Sequence, residues 1–149
     1  MERLRQIVNR ITLNFSFLKE MGYSLNPLEV FNETDEERIF ARLLFENFAK
    51  DRIVCFTIYP RKSNEIDVTI SDADMDETLT LTSYVNFING ERPKYCPPYK
   101  LEEENLIKSI DSLSIYIRQF FEHDLKQVLA GEKWIAIPSY DPRDQSNYH

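Results

Sequence analysis

Two neighbouring stretches, Arg52-Ile-Val-Cys-Phe-Thr-Ile-Tyr59 and Glu65-Ile-Asp-Val-Thr-Ile-Ser71, decide the fold of this chain. The first is β-branched and aromatic with apolar residues on both sides, which predicts a central strand covered on both faces. The second alternates strictly, as a strand does when only one of its faces is buried. Its inward residues are predicted to be Ile66, Val68 and Ile70, and its outward residues Glu65, Asp67, Thr69 and Ser71.

The stretch Thr34 to Phe48, which precedes the central strand, fits two structures. Thr34-Asp-Glu-Glu37 matches a helix capping box. Strict alternation instead predicts a strand from about Phe40 to Glu46. Because a strand follows directly, we favour the strand, and a continuous helix from Asp35 to Phe48 is the alternative. The apolar face would carry Ile39, Ala41, Leu43 and Phe45, and the mixed face Phe40, Arg42, Leu44 and Glu46.

Downstream of the two deciding stretches, Leu79 to Phe87 is predicted to form one more strand, with Leu79, Leu81, Val85 and Phe87 on one side. Asn89-Gly90 predicts a tight turn. The segment Glu91 to Lys100 contains three prolines, so it is predicted to be a loop rather than a central strand.

Helices are predicted on both sides of these strands. From Glu2 to Met21 apolar residues recur at helical spacing, and Gly22 predicts the stop. Tyr23 to Leu25 is a short extended piece. A second, longer stripe runs from Leu101 to Ala130 and ends at Gly131. The two stripes are carried by Leu4, Ile7, Val8, Ile11, Phe15 and Leu18, and by Leu106, Ile110, Leu113, Ile117, Phe120, Phe121, Leu125, Val128 and Leu129.

The sequence therefore predicts an α+β fold, an antiparallel meander of about four strands flanked by an N-terminal helix and a long C-terminal helix. The 149 residues, with 42% hydrophobic content, suit a single domain, 1–149. Its tail from about Trp134 is predicted to be partly extended, with Trp134, Ile135 and Ile137 docked on the domain.

Cellular location is predicted from two features of the sequence. There is no apolar run of the ~20 residues that span a membrane, and the N-terminus lacks the apolar stretch of a secretory signal. Cys55 and Cys96 lack the spacing of a zinc site or a disulfide framework, and we predict two reduced thiols. A cytoplasmic protein is expected.

The net charge of −7 is concentrated in one segment. Between Ser63 and Glu91 there are seven acids and no Lys or Arg, which leaves eighteen acids against eighteen bases elsewhere. Such a field repels nucleic acid and anionic membranes and attracts basic surfaces. The candidate partner-binding residues are Glu65, Asp67, Asp72, Asp74, Asp76 and Glu77.

Asp72-Ala-Asp-Met-Asp76 has the spacing of a calcium loop. The sixth position, which requires Gly, is Glu77, and the twelfth, which should be a bidentate Glu, is Ser83. We therefore predict a solvated acidic loop and no metal site. His123 lies in a charged run, and the three glycines stand too far apart to cradle a phosphate, so no enzyme and no cofactor are expected.

Three segments give the chain a resemblance to small bacterial α+β immunity proteins that accompany polymorphic toxins. They are Phe17-Leu-Lys-Glu-Met-Gly-Tyr23, the three-strand run from Phe40 to Ile70, and Asp124-Leu-Lys-Gln-Val-Leu-Ala-Gly131. The resemblance implies a non-enzymatic protein that binds a cognate toxin and blocks its site or its substrate channel. The charge pattern separately suits a basic protein partner, since a concentrated acidic patch accelerates association with it.

A different function is a small-molecule-binding module. In that case an apolar pocket would lie between the sheet and the C-terminal helix, enclosed by the two-sided strand Ile53 to Tyr59 and the aromatic residues of the helix.

Overall fold

The computed structural model describes residues 2–26, 41–59, 65–89 and 104–137. Five strands form one antiparallel sheet in chain order, so each strand pairs with the one before it. The strands are β1 (Ser24–Asn26), β2 (Ala41–Asn47), β3 (Arg52–Tyr59), β4 (Glu65–Ser71) and β5 (Thr78–Thr80). This confirms the predicted antiparallel meander, with β3 at its centre.

The ambiguous stretch before β3 is resolved as a strand. β2 pairs with β3 along its whole length, with Leu43 opposite Phe56. Ala41, Leu43 and Phe45 are fully buried on one face, as the alternation predicted. The alternative helix through residue 48 is therefore wrong. Thr34 and Phe40 lie outside the described residues.

The register of β4 is also as predicted. Ile66, Val68 and Ile70 are buried on the face that carries the main core, whereas Asp67 and Thr69 are half-buried on the opposite face. Ser71 shares that opposite face but is only 3% exposed, so its outward side chain is not in solvent. A one-residue slip would have reversed every one of these positions.

β3 is buried on both faces, which confirms its prediction as the central strand. Val54, Phe56 and Ile58 belong to the main core. On the opposite face Ile53 and Cys55 join Leu44 of β2 in a second, smaller apolar cluster. Cys55 is a free thiol, as expected, and Cys96 lies outside the described residues.

The helices are α1 (Glu2–Asn14), α2 (Phe17–Glu20), α3 (Leu81–Asn89), α4 (Leu106–Glu122) and α5 (Lys126–Leu129). Both predicted long helices are interrupted. After α1 the backbone hydrogen bonds join residues three apart instead of four. After α4 the Leu125 amide donates to the Phe120 carbonyl, five residues earlier. Each break lets apolar residues on both of its sides reach the core. Gly22 and Gly131 adopt positive φ angles, of 97° and 75°, as predicted for helix stops.

The prediction of a strand from Leu79 to Phe87 is wrong. β5 ends at Thr80 and α3 begins at Leu81. The Thr80 hydroxyl accepts a hydrogen bond from the Ser83 amide at 3.2 Å, in the manner of a helix N-cap. Leu81, Tyr84 and Val85 are buried at helical spacing, whereas Phe87, predicted to be inward, is exposed.

The main core lies between one face of the sheet and the helices. The face of α1 that was predicted from its spacing is buried there, together with Ile110, Ile117 and Phe121 of α4. Trp134, Ile135 and Ile137 pack against this core, as expected of the docked part of the tail. None of the helices in the described ranges is long and apolar enough to cross a membrane. The predicted Gly90 turn and Glu91–Lys100 loop lie outside these ranges.

Candidate functional site

The acidic residues of the β4–β5 connection lie at one end of the sheet. In an antiparallel meander the β2–β3 and β4–β5 connections meet at the same end, and the register places Ile53 opposite Ser71 there. We call this the acidic end of the sheet. Its acids are Asp51, Asp72, Asp74, Asp76 and Glu77.

Four of the six predicted site residues come together at the acidic end. Asp74, Asp76 and Glu77 are exposed and Asp72 is half-buried. Asp67 stands apart, because four strand residues, about 13 Å, separate it from the end of β4. Glu65 is the first residue of β4 and therefore lies farther from the acidic end than Asp67 does.

Asp51 is the acid that sequence reasoning missed. It lies in the β2–β3 turn, outside the acidic segment of the chain, and its Oδ1 accepts a hydrogen bond from the Ala73 amide at 2.9 Å. That bond joins the two connections. The predicted order of the strands could have placed Asp51 beside the loop. In an antiparallel meander the β2–β3 turn, which contains Asp51, lies at the same end of the sheet as the β4–β5 loop. Lys50 is exposed next to Asp51, so the acidic end also carries a cation.

The β4–β5 loop is closed by its own first residue. Asp72 Oδ1 accepts hydrogen bonds from the amides of Asp76, at 2.8 Å, and Glu77, at 3.3 Å. The Asp72 amide donates to the Glu77 carbonyl at 3.2 Å. Two loop amides thus bind the Asp72 carboxylate, while the side chains of Asp74, Asp76 and Glu77 are exposed. Met75 supports this shape with a left-handed φ of 58°.

The β2–β3 turn is held equally firmly from the other side. Asn47 Oδ1 accepts from the Lys50 amide at 3.2 Å, and Asn47 Nδ2 donates to the Met21 carbonyl at 3.3 Å. Gly131 packs so closely on the turn that a Cβ there would stand 2.7 Å from the Lys50 carbonyl oxygen. The acids of this end are therefore presented by a preorganised backbone.

In the described part of the chain, the residues considered for a metal site, for catalysis or for a ligand pocket do not form such a site. No group of three His, Cys, Asp or Glu side chains there is placed to hold a metal ion. His123 is exposed in the turn after α4. The predicted pocket region between β3 and α4 is occupied by aromatic rings: Phe56 lies 4.6 Å from Phe15 and 6.5 Å from Phe121, between ring centroids.

A tyrosine beside the core has a raised pKa. Tyr84 donates a hydrogen bond to Asp124 Oδ2 at 3.0 Å. Burial, followed by the contact with Asp124, raises the pKa of the Tyr84 hydroxyl. The phenol therefore stays a neutral donor, a structural link between α3 and the turn after α4.

No family model matches the chain, and neither the curated proteins nor the solved structures compared with it give a match.

Proposed function

We propose that this protein is a non-enzymatic binding protein that inhibits a basic toxin by docking the acidic end of its sheet against it, in the manner of an immunity protein. The observation that carries this proposal is a loop closed by hydrogen bonds to the Asp72 carboxylate, in which the carboxylates of Asp74, Asp76 and Glu77 are exposed. Like charges held this close destabilise a fold, which favours a use outside it.

A basic partner is the chemistry that suits this surface. Repulsion among these acids is relieved when a surface of opposite charge binds them, so association with a basic surface accounts for their concentration. A toxin that cuts nucleic acid, for example, has a cleft that attracts phosphates and would attract these carboxylates too. Such steering acts mainly on the association rate and is screened over about 8–10 Å at ordinary ionic strength.

The test is a triple variant, Asp74→Asn, Asp76→Asn and Glu77→Gln. It spares Asp72, whose carboxylate closes the loop, so the fold should be retained. We expect the association rate with the partner isolated by pulldown to fall about tenfold at low salt, and to depend much less on salt, as measured by stopped-flow kinetics.

The matched control changes three acids that lie outside the sequence segment from Ser63 to Glu91, namely the consecutive residues Glu102, Glu103 and Glu104, each to Gln. Glu104 precedes α4, whose 17 residues extend about 25 Å before the chain turns toward the acidic end. This control should keep most of the parent rate. Equal rates for the parent and the triple variant would contradict the proposal.

A further inference from the structure

Two large apolar side chains are exposed at the acidic end. Phe48, in the β2–β3 turn, is 64% exposed, and Met75, in the β4–β5 loop, is 50% exposed. Neither exposure is required by the turns that carry them, since the turns are closed by Asn47 and Asp72. Aromatic and Met side chains are enriched in protein interfaces relative to the rest of the protein surface.

Phe48 and Met75 lie close to the contact that joins their two connections. The Asp51 amide bonds to the Phe48 carbonyl, a turn that keeps their Cα atoms within about 7 Å. Met75 is two residues from Ala73, so those Cα atoms are at most about 8 Å apart. Phe48 and Met75 are therefore carried by two connections at the same end of the sheet, and the 2.9 Å bond between Ala73 and Asp51 joins those connections.

The negative charge around Phe48 and Met75 indicates which kind of molecule could bind there. A second copy of this chain would bring its own acids against the same acids, and nucleic acid would bring phosphates, so both are repelled. A basic protein surface is attracted. It must also cover Phe48 and Met75, so it needs apolar side chains between its cations.

We propose that Phe48 and Met75 are the apolar anchors of a docking surface for a protein segment in which cationic and apolar side chains are interleaved. The acids around them set the approach, and the anchors, once covered, slow dissociation, because desolvated central residues dominate binding free energy. This proposal rests on the proposed function and assigns it the residues that retain the partner.

The probes are two synthetic peptides of equal length and net charge, one interleaving arginines with leucines and the other arginines with serines. Their dissociation constants are measured by fluorescence anisotropy, and the Met75 methyl signal is followed by NMR. We expect the leucine peptide to bind about tenfold more tightly than the serine peptide and to shift the Met75 methyl signal more.

The variant Phe48→Ser with Met75→Asn removes both anchors. Asn tolerates the left-handed backbone at residue 75, so the loop should be kept. We expect the two peptides to bind this variant about equally. The matched control is Leu13→Ser with Ile115→Ser, which removes two aliphatic side chains that are 60% and 61% exposed on helices α1 and α4. It should keep the tenfold preference.

The outcomes separate the two proposals. Equal binding of both peptides to the parent, lost in the triple acid-to-amide variant, would overturn the anchors and leave the basic partner standing. A leucine preference that survives unchanged in that triple variant, with no loss of affinity, would overturn the basic partner instead. Absence of binding by either peptide would overturn both.

Discussion

Arg52, the first residue of β3, is a buried cation whose described hydrogen bonds all go to backbone carbonyls. Arg52 is 8% exposed, and its guanidinium donates to the carbonyls of Val128, Asp51 and Lys133, at 2.8, 2.8 and 3.1 Å. Val128 lies in α5, and its carbonyl also accepts a hydrogen bond from the Gly131 amide at 3.1 Å. Arg52 thereby adds a second donor at that helix end and ties the start of β3 to the segment that follows Gly131.

Replacing Arg52 tests this role. Arg52→Met would remove one of the two donors to the Val128 carbonyl and the guanidinium donor to the Lys133 carbonyl, and we expect the free energy of unfolding in urea to fall by about 1–3 kcal/mol. Arg52→Lys should recover less than half of that loss, because one ammonium cannot reach three diverging carbonyls. A loss under about 0.5 kcal/mol in Arg52→Met would show that water replaces the guanidinium.

At the scale of elements, the strands were the most predictable part of the chain. Ile66, Val68 and Ile70 alternate with polar residues, and only one register buries all three. β3 was identified by apolar residues on both sides, a pattern that only a strand in the middle of a sheet requires. In both strands the pattern of apolar residues shows which faces are buried, and no helix would bury the same residues.

Helix α3 was missed because its apolar residues satisfy two periods at once. Leu79, Leu81, Val85 and Phe87 share one side of an extended chain, whereas Leu81, Tyr84 and Val85 share one side of a helix. The deciding signal is Thr80, whose hydroxyl caps the helix three residues before Ser83. The interruptions of the two long helices were unpredictable for another reason. Neither break contains a Pro or Gly, so tertiary packing causes them and the local sequence gives no signal.

The cap on α3 can be tested directly. Thr80→Val keeps the β-branched shape needed at the end of β5 but removes the hydroxyl, and we expect the free energy of unfolding to fall by about 1 kcal/mol in urea titrations. Thr80→Ser retains the oxygen and should recover most of that loss. If Thr80→Val were as stable as the parent, the cap would contribute nothing and packing of Leu81 and Tyr84 would hold the helix.

The candidate site was half predictable. The sequence locates acids by position along the chain, so it identified Asp74, Asp76 and Glu77 and also included Asp67, which the strand carries away from the loop. Asp51 joins them only through the pairing of strands. The exposed side chains of Phe48 and Met75 could not be anticipated, because exposure at a turn depends on which neighbours fold back over it.

At the scale of the whole molecule, α1 and α4 are joined across the chain by an ion pair. Arg10 binds both carboxylate oxygens of Asp111 at 2.7 Å, and Asn14 donates to the same carboxylate at 2.9 Å. The hydrogen bond from Arg10, followed by that from Asn14, lowers the pKa of Asp111 below its ordinary value of 3.8.

This shift predicts a dependence of stability on pH. Because the folded-state pKa of Asp111 is lowered, its carboxylate stabilises the fold above pH 3.8, and the contribution is lost as the pH falls through the lowered value. Asp111→Asn should therefore be less stable than the parent near neutral pH, and the difference in the free energy of unfolding should shrink as the pH falls through the lowered pKa of Asp111, as measured by urea titrations at acid pH. Glu122→Gln, which removes an exposed ion pair within α4, should change the stability near neutral pH much less than Asp111→Asn does. A constant difference between Asp111→Asn and the parent at every pH would contradict the role of the charge.

The pairing of α1 with α4 has a consequence for synthesis on the ribosome. Arg10 and Asp111 are 101 residues apart, so α1 is made long before the helix that covers its flank. At roughly 5–20 residues per second, that interval is about 5–20 seconds. During this interval the nascent chain can form the hairpins of the meander, because paired strands are adjacent in the sequence. The apolar face of α1 is not yet covered by α4. The N-terminal helix is therefore the part of the newborn protein on which a ribosome-associated chaperone should dwell longest.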